Sequence, residues 1–161
     1  MKLRSTFPEA EILGIDLSPH MLSVAKYNLR NRPELKEARD RVQYVHAAGE
    51  ETGLPDRFAD MVSICLVNHE LPSEAARSVF REAHRILEPG GAFTFMDMNP
   101  EAPAFQRIVD NPMLFALFKS TEPWLQDYVN LDLVNELKAA GFSKVDIGYN
   151  SPRHRTVVAF K

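Results

Sequence analysis

The chain has 161 residues, of which 45% are hydrophobic and 25% charged, and its formal net charge is −3 at pH 7. This length and composition suit a globular protein, and we expect residues 1–161 to form a single domain. No stretch concentrates Lys and Arg as a nucleic-acid surface would, and no run of about 18 apolar residues predicts a membrane span. Cys65 is the one cysteine, which excludes an intrachain disulfide and a cysteine-rich metal site, so we expect no metal.

Predicted strands and helices alternate in the first half of the chain. Glu11–Asp16 is a short apolar run that ends on an acid, which predicts a buried strand. Ser18 is a good N-cap for the next helix, and the apolar spacing carries that helix to about Asn31. Val42–His46 and Asp60–Val67 predict two more strands. The second of these is apolar on both faces, so we expect it at the centre of a parallel sheet.

The next predicted helix precedes a strand. Ser73 can cap this helix, whose apolar stripe runs to Leu87. The Pro89-Gly90-Gly91 turn ends the helix and leads into a predicted strand over Ala92–Met98. The alternation of strand and helix therefore continues past the middle of the chain.

The last third of the chain begins with a segment that is hard to interpret. Residues 99–130 contain several proline steps and many aromatic side chains, and no element is predicted there. A helix is expected from about Leu131 to Ala140-Gly141, because glycine is a favourable residue at a helix end. A hairpin of Lys144–Tyr149 and Thr156–Phe160 is expected after this helix. The whole pattern predicts an α/β fold with a mostly parallel sheet and a C-terminal antiparallel hairpin.

Three motifs occur in a fixed order along this pattern. They are Gly14–Pro19 followed by Met21-Leu22, then Ala48-Gly49-Glu50 ahead of Gly53–Pro55 and Phe58–Val62, then Glu82–Gly91 leading into Ala92-Phe93. The series is similar to the class I S-adenosylmethionine-dependent methyltransferases, in the type 11 group that modifies small molecules such as quinones and sterols. The resemblance covers residues 7–100 strongly and the remainder weakly. It implies a Rossmann-like sheet, S-adenosylmethionine as cofactor, a small-molecule acceptor and in-line SN2 transfer of the methyl group.

The resemblance implies a cofactor site at the ends of the first strands. Asp16 would accept both ribose hydroxyls, and its other possible role is to cap the following helix. The backbone of Ala48 and Gly49 and the carboxylate of Glu50 would contact adenine, or else form an ordinary loop. Leu17 and Met21 would pack against the adenine ring or else belong to the helix core. Cys65 and Leu66 would line the methionine end of the cofactor.

The acceptor side is expected after the third strand, at Asn68-His69-Glu70. His69 would take a proton from the acceptor with Glu70 orienting it, or would only help to cap the next helix. Cys65 is not expected to act as a nucleophile, since it lies within an apolar strand. Asp97 and Asn99 are expected to face the same crevice. The aromatic side chains of the following segment would either cover the crevice as a lid or belong to the core: Phe105, Phe115, Phe118, Trp124 and Tyr128. Residues 153–155, Arg-His-Arg, would meet an anionic acceptor or remain solvated.

The strand and glycine-rich loop that open this family have no counterpart in the sequence. The absent strand would be the middle one of the family's sheet. Its loss would leave an unpaired edge on the strand at Ile12–Ile15 and on the strand at Met61–Val67. We therefore expect an incomplete domain from a truncated chain, with low stability, weak cofactor binding and self-association through the open edges.

Two other classes of function are open at this point. A nicotinamide-dependent oxidoreductase also uses an acid after a strand, but its glycine fingerprint lies about 20 residues upstream of that acid, and Asp16 has too few residues before it. A non-catalytic module would instead pair its open sheet edge with a partner. Binding of S-adenosylhomocysteine, of NAD or of neither ligand separates the three classes.

Overall fold

The computed structural model describes residues 6–149 and 151–161, with the side chain of Ala38 left out. The chain divides into two compact units, one up to Gly53 and one from Leu54. Within the described ranges, no helix combines the length and the apolar character needed to cross a membrane.

The first unit is a parallel strand pair with a helical crossover. Its elements are β1 (Ile12–Asp16), α1 (Pro19–Asn31), a 3₁₀ helix (Pro33–Arg41) and β2 (Val42–His46). Helix α1 begins as the sequence predicts, because Ser18 Oγ accepts a hydrogen bond from the Met21 amide at 3.3 Å. A small core forms where Leu29 packs with Val42. The crossover thus joins two strands whose carboxyl ends point the same way.

The second unit contains a four-stranded sheet. Its strands are β3 (Ala59–Cys65), β4 (Leu87–Met98), β5 (Lys144–Tyr149) and β6 (His154–Phe160), in the order β3-β4-β6-β5. Strand β3 runs parallel to β4, whereas β6 runs antiparallel to both β4 and β5. The predicted C-terminal hairpin is therefore confirmed, and so is the mixed α/β fold.

Five helices belong to this unit: α2 (Ser73–Ile86), α3 (Pro103–Val109), α4 (Pro112–Thr121), α5 (Leu125–Asn130) and α6 (Leu133–Ala139). Helix α2 buries its apolar face against the sheet, where the Phe80 ring lies 5.9 Å from Phe93 and 6.2 Å from Phe95. All three rings are almost fully buried. The core of the unit therefore lies between α2 and the sheet.

Three expectations about this unit are wrong in detail. Strand β3 lies at the edge of its sheet, not at the centre, and Cys65 is exposed, not enclosed in an apolar strand. Helix α2 does begin at Ser73, but Pro72 is the capping residue, and the Ser73 amide and hydroxyl donate to Asp127 Oδ2. Apolar composition predicted a strand correctly but could not predict its neighbours.

The open edges follow from the pairing. Among the described strands, β1 pairs with β2 alone and β3 pairs with β4 alone. Each therefore has one side without a strand partner, which agrees with the unpaired edges expected for these two strands. Self-association through these edges stays a prediction.

Candidate functional site

The cofactor-side residues of the first unit meet at one edge. Strands β1 and β2 are parallel and in register from Ile12–Val42 to Asp16–His46, so their carboxyl ends are adjacent. The Ala47 amide donates to the Asp16 carbonyl at 3.3 Å, and His46 Nε2 lies 2.8 Å from the Leu17 carbonyl oxygen. Two motifs that lie about 30 residues apart in the sequence are thereby brought side by side.

Asp16 presents an exposed carboxylate at this edge. Its Oδ1 accepts a hydrogen bond from the Ser18 amide at 2.8 Å, which orients the group. The N-cap of α1 is Ser18, so Asp16 is not the capping residue that the alternative interpretation required.

Exposed apolar side chains lie beside this carboxylate in the sequence. Leu17 is 67% and Met21 is 57% exposed, so neither forms part of the core. Ala48 bridges to Glu51 in a short turn in which Gly49 and Glu50 are also exposed. Exposure of these large apolar side chains to water is costly, and a ligand that covered them would reduce this cost.

In the second unit, the chain turns sharply after β3. Leu66 has a φ of +55°, and its amide donates to the Met96 carbonyl at 2.8 Å. A single 3₁₀ turn over Asn68–Glu70 follows and buries both Asn68 and His69. The turn therefore brings His69 to the carboxyl ends of two parallel strands, where ligands bind in open α/β sheets.

His69 and Asp97 form a buried pair. His69 Nδ1 lies 2.7 Å from Asp97 Oδ1, and the two side chains are 6% and 1% exposed. The hydrogen bond to Asp97 raises the pKa of His69, against the opposing effect of burial, and the carboxylates of Asp97, Glu122 and Glu70 add to the increase. With Asp97 ionised, Nδ1 carries the proton and Nε2 is left with the lone pair.

Two further carboxylates lie near the other ring nitrogen. Nε2 is 3.9 Å from Glu70 Oε1 and 3.9 Å from Glu122 Oε2, beyond hydrogen-bond distance of either. Glu122 follows α4 and is distant in sequence from His69. No local pattern marks Glu122 as part of a site, and the sequence did not predict it.

Tyr128 packs against the His69 ring, and Arg155 packs against Tyr128. The Tyr128 ring meets the His69 ring edge-on at 6.3 Å, and its hydroxyl donates to the Met98 carbonyl at 2.6 Å. The Arg155 guanidinium lies over the Tyr128 ring at 5.6 Å. Burial raises the pKa of Tyr128, so its hydroxyl stays protonated. Arg155 is itself buried and so does not remain solvated, whereas Arg153 is exposed.

A cavity of about 490 Å³ opens beside His69. Its lining is mainly apolar, with polar and charged groups added: Leu66, His69, Glu70, Met98, Ala104, Phe105, Ile108, Phe118, Arg153 and His154. A mostly apolar cavity with a few polar groups is typical of a small-molecule site.

The other predicted acceptor-side residues have different positions. Asn99 is buried and closes a turn, since its Oδ1 accepts from the Glu101 amide at 3.1 Å. Asn68 is buried, and neither its side-chain nitrogen nor its side-chain oxygen has a hydrogen-bond partner among the described residues. Trp124 is 43% exposed and does not line the cavity.

The aromatic segment divides between the two roles that the sequence left open. Phe105 and Phe118 line the cavity, although Phe105 also belongs to a buried cluster. Tyr128 is core, and Phe115 packs against that cluster. The rings therefore form partly a cavity wall and partly a core.

The comparison with protein families gives one match that covers more than half of the chain. The model described as "Methyltransferase domain" matches residues 2–95. An uncharacterized methyltransferase of Synechocystis sp. is 28% identical over 137 residues, which cover 84% of this chain and 58% of that protein. A demethylmenaquinone methyltransferase of Listeria welshimeri is 31% identical over 103 residues, or 63% of this chain and 40% of that protein. The chain thus spans about half the length of these relatives.

A solved structure shares the fold. A phosphoethanolamine N-methyltransferase of Haemonchus contortus, in complex with S-adenosyl-L-methionine, superposes with a TM-score of 0.71 at 16% identity over 99% of this chain and 45% of that chain. The order of motifs, the sheet and the family match agree with one another. The chain belongs to the class I S-adenosylmethionine-dependent methyltransferase family.

Proposed function

We propose that this chain supplies the acceptor cavity and the nucleoside-binding edge of an enzyme that transfers a methyl group from S-adenosylmethionine to a small molecule. The observation that carries this proposal is the cavity beside the buried His69–Asp97 pair, at the carboxyl ends of β3 and β4. The relatives include a demethylmenaquinone methyltransferase and an arsenite methyltransferase, both of which are named for small-molecule acceptors. The mainly apolar lining favours an acceptor with a lipophilic part.

The residues of the first unit suit the nucleoside half of the cofactor. The exposed Asp16 carboxylate can accept hydrogen bonds from the ribose hydroxyls, and the exposed Leu17 and Met21 can pack against a purine ring. The Ala48–Gly49 backbone and Glu50 would meet the adenine edge, and Cys65 and Leu66 would line the methionine end. When bound, S-adenosylmethionine supplies the electrophilic methyl group.

His69 would serve the acceptor in the cavity. Its Nε2 would accept the proton that the acceptor releases, while Asp97 holds the ring and stabilises the imidazolium. Positioning remains the larger part of catalysis, because methyl transfer from a sulfonium needs a close, in-line nucleophile more than it needs acid-base help.

A calorimetric titration tests the cofactor half of the proposal. We expect S-adenosylhomocysteine to bind the chain and NAD not to bind. Asp16→Ala should weaken binding roughly tenfold to a hundredfold, as for loss of a charge-assisted hydrogen bond. Asp40→Ala is the matched control, because Asp40 is an exposed aspartate of the same unit outside the proposed site. Tighter binding of NAD, or equal affinity of both variants for S-adenosylhomocysteine, would count against the proposal.

A further inference from the structure

We propose that His69, Glu70 and Glu122 form a site for a divalent cation. The three residues each offer one donor atom, and all three atoms lie within 4.8 Å of one another. The set combines one imidazole nitrogen with two carboxylate oxygens. The inference rests on this geometry and does not depend on the proposed methyl transfer.

The spacing of the donors is close to what one cation requires. Two atoms bound to the same ion at about 2.1 Å each lie about 3.0 to 4.2 Å apart. Nε2 is 3.9 Å from each carboxylate oxygen, which falls inside that range. Because Glu70 and Glu122 are 62% and 26% exposed, small rotations of their side chains would complete the coordination.

The orientation of His69 is a second and independent observation. The ring is more than nine-tenths buried, and Asp97 accepts the Nδ1 proton at 2.7 Å, so the lone pair of Nε2 faces the two carboxylates. Two carboxylates that face Nε2 favour a positive charge at this position, which either a proton or a bound cation can supply. Histidine ligands of metals characteristically donate their second ring N–H to a carboxylate in this way.

The donor set indicates the class of cation. One imidazole and two carboxylates suit Mn²⁺, Fe²⁺ or Zn²⁺ better than a thiolate-preferring ion. Three protein ligands also leave coordination positions for water or for a ligand. The cation and the acceptor's proton would compete for the same Nε2 lone pair, so a bound cation would block proton transfer by His69.

The experiment is a titration of Mn²⁺ into the metal-free chain. Binding is monitored through the electron paramagnetic resonance signal of the ion that remains free. Mn²⁺ is chosen because its preference for oxygen and imidazole reduces binding to the exposed Cys65 thiol. We expect one ion per chain, and Glu122→Gln and Glu70→Gln should each weaken binding roughly tenfold or more. Glu101→Gln is the matched control, since Glu101 is exposed and lies outside the cluster.

Two results would overturn the site. One is the absence of stoichiometric Mn²⁺ binding to the wild-type chain. The other is that the Glu122→Gln and Glu70→Gln variants bind Mn²⁺ as tightly as Glu101→Gln does. Thermal denaturation curves check that all three variants are folded. S-adenosylhomocysteine binding measured without metal reports separately on the proposed function, so the two proposals can fail independently.

Discussion

At the scale of single residues, Asp97 decides which nitrogen of His69 is available to the cavity. It is 1% exposed and accepts both His69 Nδ1–H and the Met98 amide at 2.7 Å. The hydrogen bond that Asp97 Oδ1 accepts from Nδ1–H fixes the tautomer of the ring and leaves Nε2 available. Every chemical role considered for His69, whether with a proton or with a cation, depends on that arrangement.

A second histidine, His84, is expected to make stability depend on pH. Burial lowers its pKa, and the nearby positive charge of Lys161 lowers it further. Its ring also packs edge-on against Phe142 at 5.2 Å. The folded chain therefore favours neutral His84, whereas the unfolded chain takes up a proton near pH 6.5.

The direction in which stability changes with pH follows from this difference in pKa between the folded and the unfolded chain. The contribution of His84 to stability is fully present above about pH 6.5 and is lost as the pH falls toward the lower pKa of the folded state. Urea unfolding of the wild type should therefore lose more stability between pH 7.5 and pH 5.5 than unfolding of His84→Gln. An identical pH dependence in the two proteins would show that His84 makes no such contribution.

At the scale of elements, Gly141 ends helix α6 in a conformation that other residues avoid. Its φ is +109°, and a Cβ atom at this position would lie 2.8 Å from the His84 ring. Gly141→Ala should therefore destabilise the fold by about 1 to 3 kcal/mol, which chemical denaturation measures. Gly148→Ala is the control, because among the described residues no atom beyond its two chain neighbours lies within 4 Å of a Cβ there. Equal stabilities of the two variants would contradict this account of the helix end.

The elements themselves were largely predictable from the sequence. Ser18 begins its helix through a local hydrogen bond, and Gly141 ends its helix through its backbone conformation. Val42–His46 is a strand of the predicted length. Residues 99–130 were not predictable, because their three short helices carry weak periodicity and are held by contacts such as Tyr128 to Met98. The edge position of β3 depends on neighbouring strands, which no local pattern specifies.

The candidate site was predictable only in part, for the same reason. His69 and Glu70 follow β3, and Asp97 lies near the end of β4, so all three could be inferred to lie at one edge of a sheet. Arg155, which the sequence analysis also considered for the acceptor, lies opposite Asp97 because β6 pairs with β4. Glu122 reaches the same place through tertiary packing, with no sequence signal that connects it to His69. The roles of the cofactor-side residues from Asp16 to Leu66 remain predictions.

At the scale of the whole molecule, we propose that the two units carry different parts of one function. The first presents the exposed Asp16 carboxylate and its apolar neighbours, and the second contains the cavity and the His69–Asp97 pair. Membership of the methyltransferase family supports this proposal. The acceptor side is the less predictable part, because its lining comes from segments that surround β3, β4 and β6.

The most direct test of the central claim is transfer of a labelled methyl group from S-adenosylmethionine by the chain to a panel of small acceptors that carry hydroxyl or amine groups. We predict transfer to a lipophilic member of the panel, a kcat reduced roughly a hundredfold in His69→Gln, and no change in His20→Gln, an exposed histidine outside the cavity. Absence of transfer by the wild type would contradict the proposed function. Equal rates for the wild type and His69→Gln would contradict the role given to His69.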